Sequence, residues 1–380
     1  MRFSVFTHIE LKIPEPNYKD SLVSSVINLE KMRNKEIGGD VPLLIFNQLK
    51  DIFQIFESLG SARIEGNRTT LSDYVQEKIE GDKKTQQFME IANIESCISF
   101  IDRCFENEKN FLISERFIKE LHNMLTRDLT NEGSATPGAY RVSNVQITRA
   151  VHTPPESVKV QEYMSELFDF IARDVSYQEC LLKVAVAHHR FLWIHPFDNG
   201  NGRVARLLTY AMLKMNGFDR ISLMNPTAVF CSDRNKYFEA LAEADKGTND
   251  GALFWCRYVL QGLEAEMTKI NKLLNRTFLN DRILLPTIQY AKNYHLIKDD
   301  EFAVLNYLLK NNTFKITDLR DVFKGSKNDP QINYLVKKMN ERRLLQKTPQ
   351  SDRKYAFCFN NPILLRGVVE QLASNGFVNN

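Results

Sequence analysis

The feature that most constrains this 380-residue chain is an apolar rhythm of three to four residues running from about Asn17 to Asn275. Leu22, Val26, Leu29 and Met32 follow it, as do Leu49, Ile52, Phe53 and Phe56. That spacing gathers apolar side chains on one face of a helix. It predicts helices over 71–81, 86–104, 114–127, 156–172, 177–194, 203–215, 233–244 and 251–279, and hence a mainly α fold. One stretch departs from the rhythm. From Ala139 through Val142, Val145, Gln146 and Ile147 to His152, β-branched residues alternate, until Thr153-Pro154-Pro155 ends the run. This reads as a short β-hairpin or flap inside a helical domain, the alternative being a plain connecting loop.

From Asp300 the pattern becomes a compact unit of three short helices and a hairpin. Phe302, Val304, Leu305 and Leu308 mark the first helix, and Thr317 reads as the N-cap of the second. Asp329-Pro330 opens a third, with Ile332, Leu335, Val336 and Met339 on one face. Strands follow at Leu344 to Lys347 and Lys354 to Phe359. Helices followed by a hairpin make a winged helix-turn-helix pattern, an α+β module. The expected division is an N-terminal helical region (1–95), a helical core (96–279) and the winged module (280–380). Charge separates the parts: residues 301–360 carry 12 Lys/Arg against 6 Asp/Glu, so this segment is +6 and the rest of a +3 chain is −3.

With 43% apolar and 26% charged residues, disorder and fibrous classes are excluded. The six cysteines are scattered without a C-x-x-C pair, which argues against a zinc site and a disulfide framework and for a reducing compartment. Met1 to Pro16 lacks the pattern of a signal peptide, and no later run nears the ~18 apolar residues of a membrane span. A cytoplasmic location is expected, with no membrane partner.

The chemistry concentrates between His195 and Arg206. The preceding helix, Cys180 to Ile194, is apolar almost all round and therefore buried. Pro196 disfavours helical geometry at His195, so the imidazole sits at a rigid helix end. Gly200-Asn201-Gly202 allows a sharp turn and close approach to a ligand, and a second helix begins there. Its unpaired amides and dipole favour an anion. Arg203 and Arg206, spaced i, i+3, reach the same side of its first turn. A neutral histidine beside an anion cradle with two arginines suits transfer of a phosphorus group to a hydroxyl.

The stretch His195-Pro196-Phe197-Asp198-Asn199-Gly200-Asn201-Gly202-Arg203-Val204-Ala205-Arg206 resembles the signature H-x-F-x-[DE]-G-N-G-R-x-x-R of the Fic (filamentation-induced-by-cAMP) family. Pro137-Gly138-Ala139-Tyr140-Arg141 and Asn144 to Ile147 look like that family's lead into its flap, so about residues 10–275 are family-like. The resemblance implies protein AMPylation on a helical core: His195 deprotonates a Ser, Thr or Tyr hydroxyl, which attacks the α-phosphate of ATP. It implies that Gly200, Asn201 and Gly202 line the phosphates, that Arg203 and Arg206 bind them, and that Val145, Gln146 and Ile147 hold the target segment. Tyr237 reads either as a border of the adenine or as a core tyrosine. The family's acidic metal position is Asn199 here, with Asp198 beside it; a neutral amide adds no charge, so Mg²⁺, or Mn²⁺ in its place, should be weakly held.

Upstream, Ser61-Ala62-Arg63-Ile64-Glu65-Gly66-Asn67 resembles the family's inhibitory motif [ST]-x-x-x-E-[GN]. By that resemblance Ser61, Glu65 and Gly66 form an autoinhibitory element in which Glu65 pairs with Arg206. The winged module places Lys337, Lys338, Arg342, Arg343, Arg353 and Lys354 where DNA phosphates could be met, although such modules also pair subunits or dock proteins. Expected partners are therefore a protein substrate, the chain itself, DNA and a second copy. Competing readings are a Fic-type enzyme that removes AMP, and a non-enzymatic regulator that senses a nucleotide and binds DNA.

Overall fold

The computed structural model describes residues 6, 8–33, 40–81, 85–108, 110–147, 150, 152–218, 223 and 226–378. It forms two units, and neither is continuous in sequence. The first comprises residues 1–35, 54–69 and 83–268; the second comprises 36–53, 70–82 and 269–380. The region expected over 1–95 is thus shared between them, because α2 (Leu43–Glu65) has its first half in one unit and its second half in the other.

The first unit is helical. Along with the end of α2 it holds α1 (Ser21–Arg33), and α3 (Leu71–Glu80) follows α2 but belongs to the second unit. Then come α4 (Gln86–Asn107), α5 (Glu115–Thr126), α6 (Val160–Ala172), α7 (Tyr177–Ile194), α8 (Asn201–Met215), α9 (Pro226–Cys231), α10 (Arg234–Ala244) and α11 (Asn249–Leu273). Helix α7 packs on α1, α6 and α8, while α8 also meets α4, α5 and α9. Both central helices are buried nearly all round, including polar side chains such as Lys183, His188, Arg203 and Arg206. Their starts are set differently. A capping box closes α7, Ser176 accepting from Glu179 N–H and Glu179 from Ser176 N–H, whereas α8 begins on Gly200 in the left-handed region (φ 76°).

The predicted flap is not a hairpin among the described residues. Residues 139–147 run without strand pairing, and Thr148, Arg149 and Val151 of the predicted second half lie outside the described residues. Arg141 and Asn144 explain the difference locally. They tie this segment to the end of α7 and to Ser157, so its backbone is held by loop-to-loop contacts instead of a ladder.

The sheet lies in the second unit. There α12 (Arg276–Leu279) passes through a π turn at Asn280–Leu284 into α13 (Leu285–Asn293), followed by α14 (Asp299–Asn311), β1 (Thr313–Lys315), α15 (Leu319–Phe323), α16 (Asp329–Glu341), β2 (Leu345–Thr348), β3 (Ser351–Phe357) and α17 (Leu365–Ser374). The strands are antiparallel in the order β1-β3-β2, with Phe314 opposite Tyr355 and Gln346 opposite Ala356. The third helix begins at Asp329, with Pro330 in its first turn, and its N-cap is Asn328, whose side chain accepts from Gln331 N–H at 3.0 Å. A strand β1 and the helices α13 and α17 were not anticipated. Among the described residues, no helix is long and apolar enough to cross a membrane.

Candidate active site

The site is built at the junction of α7 and α8. Helix α7 ends at His195 because Pro196 disfavours a further α-helical residue there, and His195 turns left-handed (φ 52°, ψ 60°), a conformation common at helix C-termini. Such a conformation strains a residue with a β-carbon, and Arg141 holds it in place. Its Nε donates to His195 O at 2.8 Å, Nη2 to Pro155 O at 2.6 Å and Nη1 to Ser143 O at 2.9 Å, while its backbone N–H donates to Pro196 O. The guanidinium is buried and faces the carbonyl end of α7, where a cation is favoured. Nothing in the spacing of the motif singled out this clamp.

The His195 ring places Nδ1 3.3 Å from Leu192 O, so Nδ1 carries the proton and Nε2 is left as the acceptor. Burial pushes the imidazole down to about 4, opposed by the Leu192 carbonyl and assisted by the Arg141 charge. At neutral pH the ring is uncharged and can take a proton.

Below the loop, Phe197 is fully buried and stacks on His122 with ring centroids 3.7 Å apart. Gly138 N–H donates to His122 Nδ1, which leaves Nε2 to donate to Asn199 O at 3.2 Å. The Asn201 side chain is not aimed at a ligand. Its amide brackets Phe197, accepting from Phe197 N–H and donating to Phe197 O, both at 2.9 Å. Asn201 therefore holds the loop in shape, and only its backbone belongs to the cradle.

The end of α2 meets this cradle. Gly66, at φ 110°, terminates the helix, with Asn67 N–H on Ala62 O. Ser61 and Glu65 lie one turn apart on the same face, and Arg206 binds both. Its Nε donates to Ser61 Oγ at 2.8 Å, and Nη2 donates to Glu65 Oε1 at 2.6 Å and to Ser61 O at 3.1 Å. The carboxylate rests against Gly202, in space that a β-carbon there would fill. Burial alone would raise the Glu65 carboxyl, but the Arg206 and Arg203 guanidiniums outweigh it and hold the group below its ordinary value. An ionised carboxylate thus lies at the start of α8, where an anionic ligand would be drawn.

Arg203 is held by carboxylates as well. Nη1 donates to Glu90 at 3.0 Å, and Nη2 donates to the Glu132 carboxylate and to Glu132 O, each at 3.0 Å. Asn67, next to the inhibitory motif, donates to the second Glu90 oxygen at 2.8 Å. These long-range partners left no signal in the sequence. The Tyr237 reading resolves toward the core: only 1% exposed, its hydroxyl is bound to His188 Nε2 at 2.9 Å among Phe230 and Trp255. Val145 to Ile147 form a half-exposed run with no strand partner among the described residues.

The residues expected to hold a cation do not fit one. Asn199 donates its amide to Asn131 O (3.4 Å) and Gly133 O (3.1 Å), and its oxygen accepts from Gly200 N–H at 2.7 Å. Asp198 accepts from Ser134 Oγ at 2.6 Å, from Ala135 N–H at 2.9 Å and from Asn199 N–H at 2.9 Å. A hard dication needs oxygens turned toward it. Here both side chains are turned onto loop 131–135 and act as its fasteners.

Comparison with known sequences agrees with this geometry: residues 112–213 match the Fic/DOC family. That segment resembles a Fic domain. Over 192 residues it is 28% identical to a protein of Nematostella vectensis named protein adenylyltransferase Fic, covering 49% of this chain and 42% of that one. It is 27% identical over 188 residues to protein adenylyltransferase fic-1 of Caenorhabditis elegans, covering 49% of this chain and 34% of the relative. The chain thus covers well under half the length of these relatives. A solved Fic family protein from Desulfovibrio desulfuricans shares the fold over 91% of this chain and 98% of its own, with TM-score 0.57 and 17% identity. The Fic match spans α5 to α8 and includes Arg141 in the segment after α5, His195 at the end of α7, and Arg203 and Arg206 on α8.

Proposed function

We propose that this protein transfers AMP from ATP to a Ser, Thr or Tyr hydroxyl of a protein, its own chain included, and that Glu65 holds it inactive at rest. The observation that carries the reading is the Glu65 carboxylate, lodged between Gly202 and Arg206 at the start of α8. A helix N-terminus with two arginines is an anion site, and a fixed carboxylate there takes the place of a phosphate. In the active form His195 Nε2 accepts the hydroxyl proton, the hydroxyl oxygen bonds to the α-phosphorus, and pyrophosphate leaves. The start of α8 and Arg206 receive the phosphates once Glu65 withdraws. Arg141 keeps His195 in its left-handed turn, and Asn201 keeps the loop beneath it rigid. No step is assigned to a metal ion. The names of the relatives support the reaction class, and an intracellular location is consistent with six cysteines of which none forms a disulfide.

Incubation with α-labelled ATP tests the reading. Glu65→Gly should incorporate label, with a mass increase of one AMP; Glu65→Gly combined with His195→Ala should not. An unlabelled Glu65→Gly protein that still binds ATP would refute the transferase reading, and equal labelling of Glu65→Gly and wild type would refute the inhibition.

A further inference from the structure

The second unit contains a surface that the transfer reaction does not use. Its order α14-β1-α15-α16-β2-β3, with the wing strands β2 and β3 adjacent, is that of a winged helix. Helix α16 is sharply two-sided. Ile332, Val336 and Met339 are buried, while Asn333, Tyr334, Lys337 and Lys338 face solvent, with Tyr334 64% exposed.

Charge on the solvent face of α16 is mainly positive, and on β3 the exposed Asp352 lies 3.7 Å from Lys347. Between Asp329 and Glu341 the helix has no acidic residue, and both of those are neutralised, Asp329 by Arg320 and Glu341 by Lys338 at 2.9 Å. Lys337 on the helix, Arg343 just beyond it, and Arg353 and Lys354 on β3 are exposed, with no carboxylate in ion-pair distance among the described residues. The surface thus offers cations on the helix and on the wing, with amide, hydroxyl and aromatic groups between them.

We propose that this face binds duplex DNA, with α16 in the major groove and Arg353 and Lys354 on flanking phosphates. The 13-residue helix is about 20 Å long, and the B-form major groove is about 12 Å wide. Asn333, Tyr334 and Lys337 can hydrogen-bond base edges, while the cations supply affinity that is independent of sequence. A protein partner would call for a contiguous apolar patch, and this face has one exposed ring set among polar groups. Duplex RNA fits less well, because its deep, narrow major groove does not admit a helix.

Fluorescence anisotropy of a labelled 25-bp DNA duplex of mixed sequence, titrated with the full chain, tests this. With about four phosphates neutralised, affinity should fall on the order of 100-fold between 50 and 200 mM salt. Lys337→Glu with Arg353→Glu should weaken binding at least tenfold while leaving the melting temperature unchanged, since both side chains are in solvent. Absence of binding at 50 mM salt, equal binding by the double variant, or equal retention on an RNA duplex of the same sequence would each overturn the proposal. Nucleotidyl transfer plays no part in this readout, so the two readings stand or fall separately.

Discussion

Gly202→Ala distinguishes a carboxylate that occupies the phosphate cradle from one that merely lies near it. Gly202 sits inside the first turn of α8 without a positive φ, so alanine is tolerated by the backbone and favours the helix by up to about 1 kcal/mol. Its β-carbon would fall on the Glu65 carboxylate and close to Arg206 Nη1, forcing Glu65 out. The lost interaction is a charge-assisted hydrogen bond of 2.6 Å, on the order of 1.5–3 kcal/mol. Set against the helix gain, net destabilisation should be about 0.5–2 kcal/mol, or a fall of roughly 1–8 °C in melting temperature for a unit of this size. Glu65→Gly loses the same bond and should melt lower as well. Labelling by α-labelled ATP should then diverge. Glu65→Gly vacates the cradle and should label strongly, whereas Gly202→Ala displaces Glu65 but leaves a methyl where phosphate oxygens must come, and should stay dark. Strong labelling by Gly202→Ala would show that the phosphates lie elsewhere, and the assignment of the cradle would be wrong.

Two further outcomes follow from the same geometry. In the proposed mechanism His195 is the base, and with its pKa lowered to about 4 it is uncharged across the neutral range; labelling by Glu65→Gly should be flat from about pH 6 to 8 and fall only as pH drops toward 4. An acid limb near the ordinary histidine value of about 6.5 would show that the ring is not buried as described. Asn199→Asp would turn a carboxylate oxygen onto Asn131 O and Gly133 O in place of two donated bonds, costing on the order of 1–3 kcal/mol. Thermal melts should show this loss, with partial recovery in Mg²⁺, while wild type should be indifferent to Mg²⁺; a wild type stabilised by Mg²⁺ would contradict the fastening role of Asn199.

How much of this was legible in the sequence depended on the range of the interaction. Helix 177–194 lies where the apolar period put it, and the helix expected over 71–81 runs from 71 to 80, since that signal is local. The halt at His195 was readable for the same reason: the next residue is a proline. In the flap, alternating β-branched residues specify an extended chain without naming a partner strand, and among the described residues Arg141 and Asn144 supply loop contacts. Strand β1 is three residues long, too short to show any alternation.

The site shows the same division in sharper form. Motif spacing located His195, Arg206 and Glu65, yet it could not tell a side chain that faces a ligand from one that faces the protein. Asn201 and Tyr237 are the instructive pair. Asn201 stands in the most ligand-like part of the motif, but its amide closes a ring of hydrogen bonds with the backbone of Phe197, four residues earlier. Tyr237 is polar-tipped, yet its hydroxyl is satisfied inside the core by His188, 49 residues away in sequence. Arg203 extends the point: the carboxylates that hold it, Glu90 and Glu132, lie 113 and 71 residues upstream. The two arginines of the loop are therefore both neutralised at rest, Arg206 by Glu65 and Arg203 by Glu90, which Asn67 steadies. Glu65 and Asn67 are two residues apart on one turn, so displacement of that turn disturbs both arginines together. Asn67→Ala, which leaves the Glu65–Arg206 bond intact, should on this ground weaken the hold on Arg203 alone and raise labelling far less than Glu65→Gly does. Labelling of the two variants to the same extent would mean that Arg203, not Arg206, is the arginine whose release limits transfer.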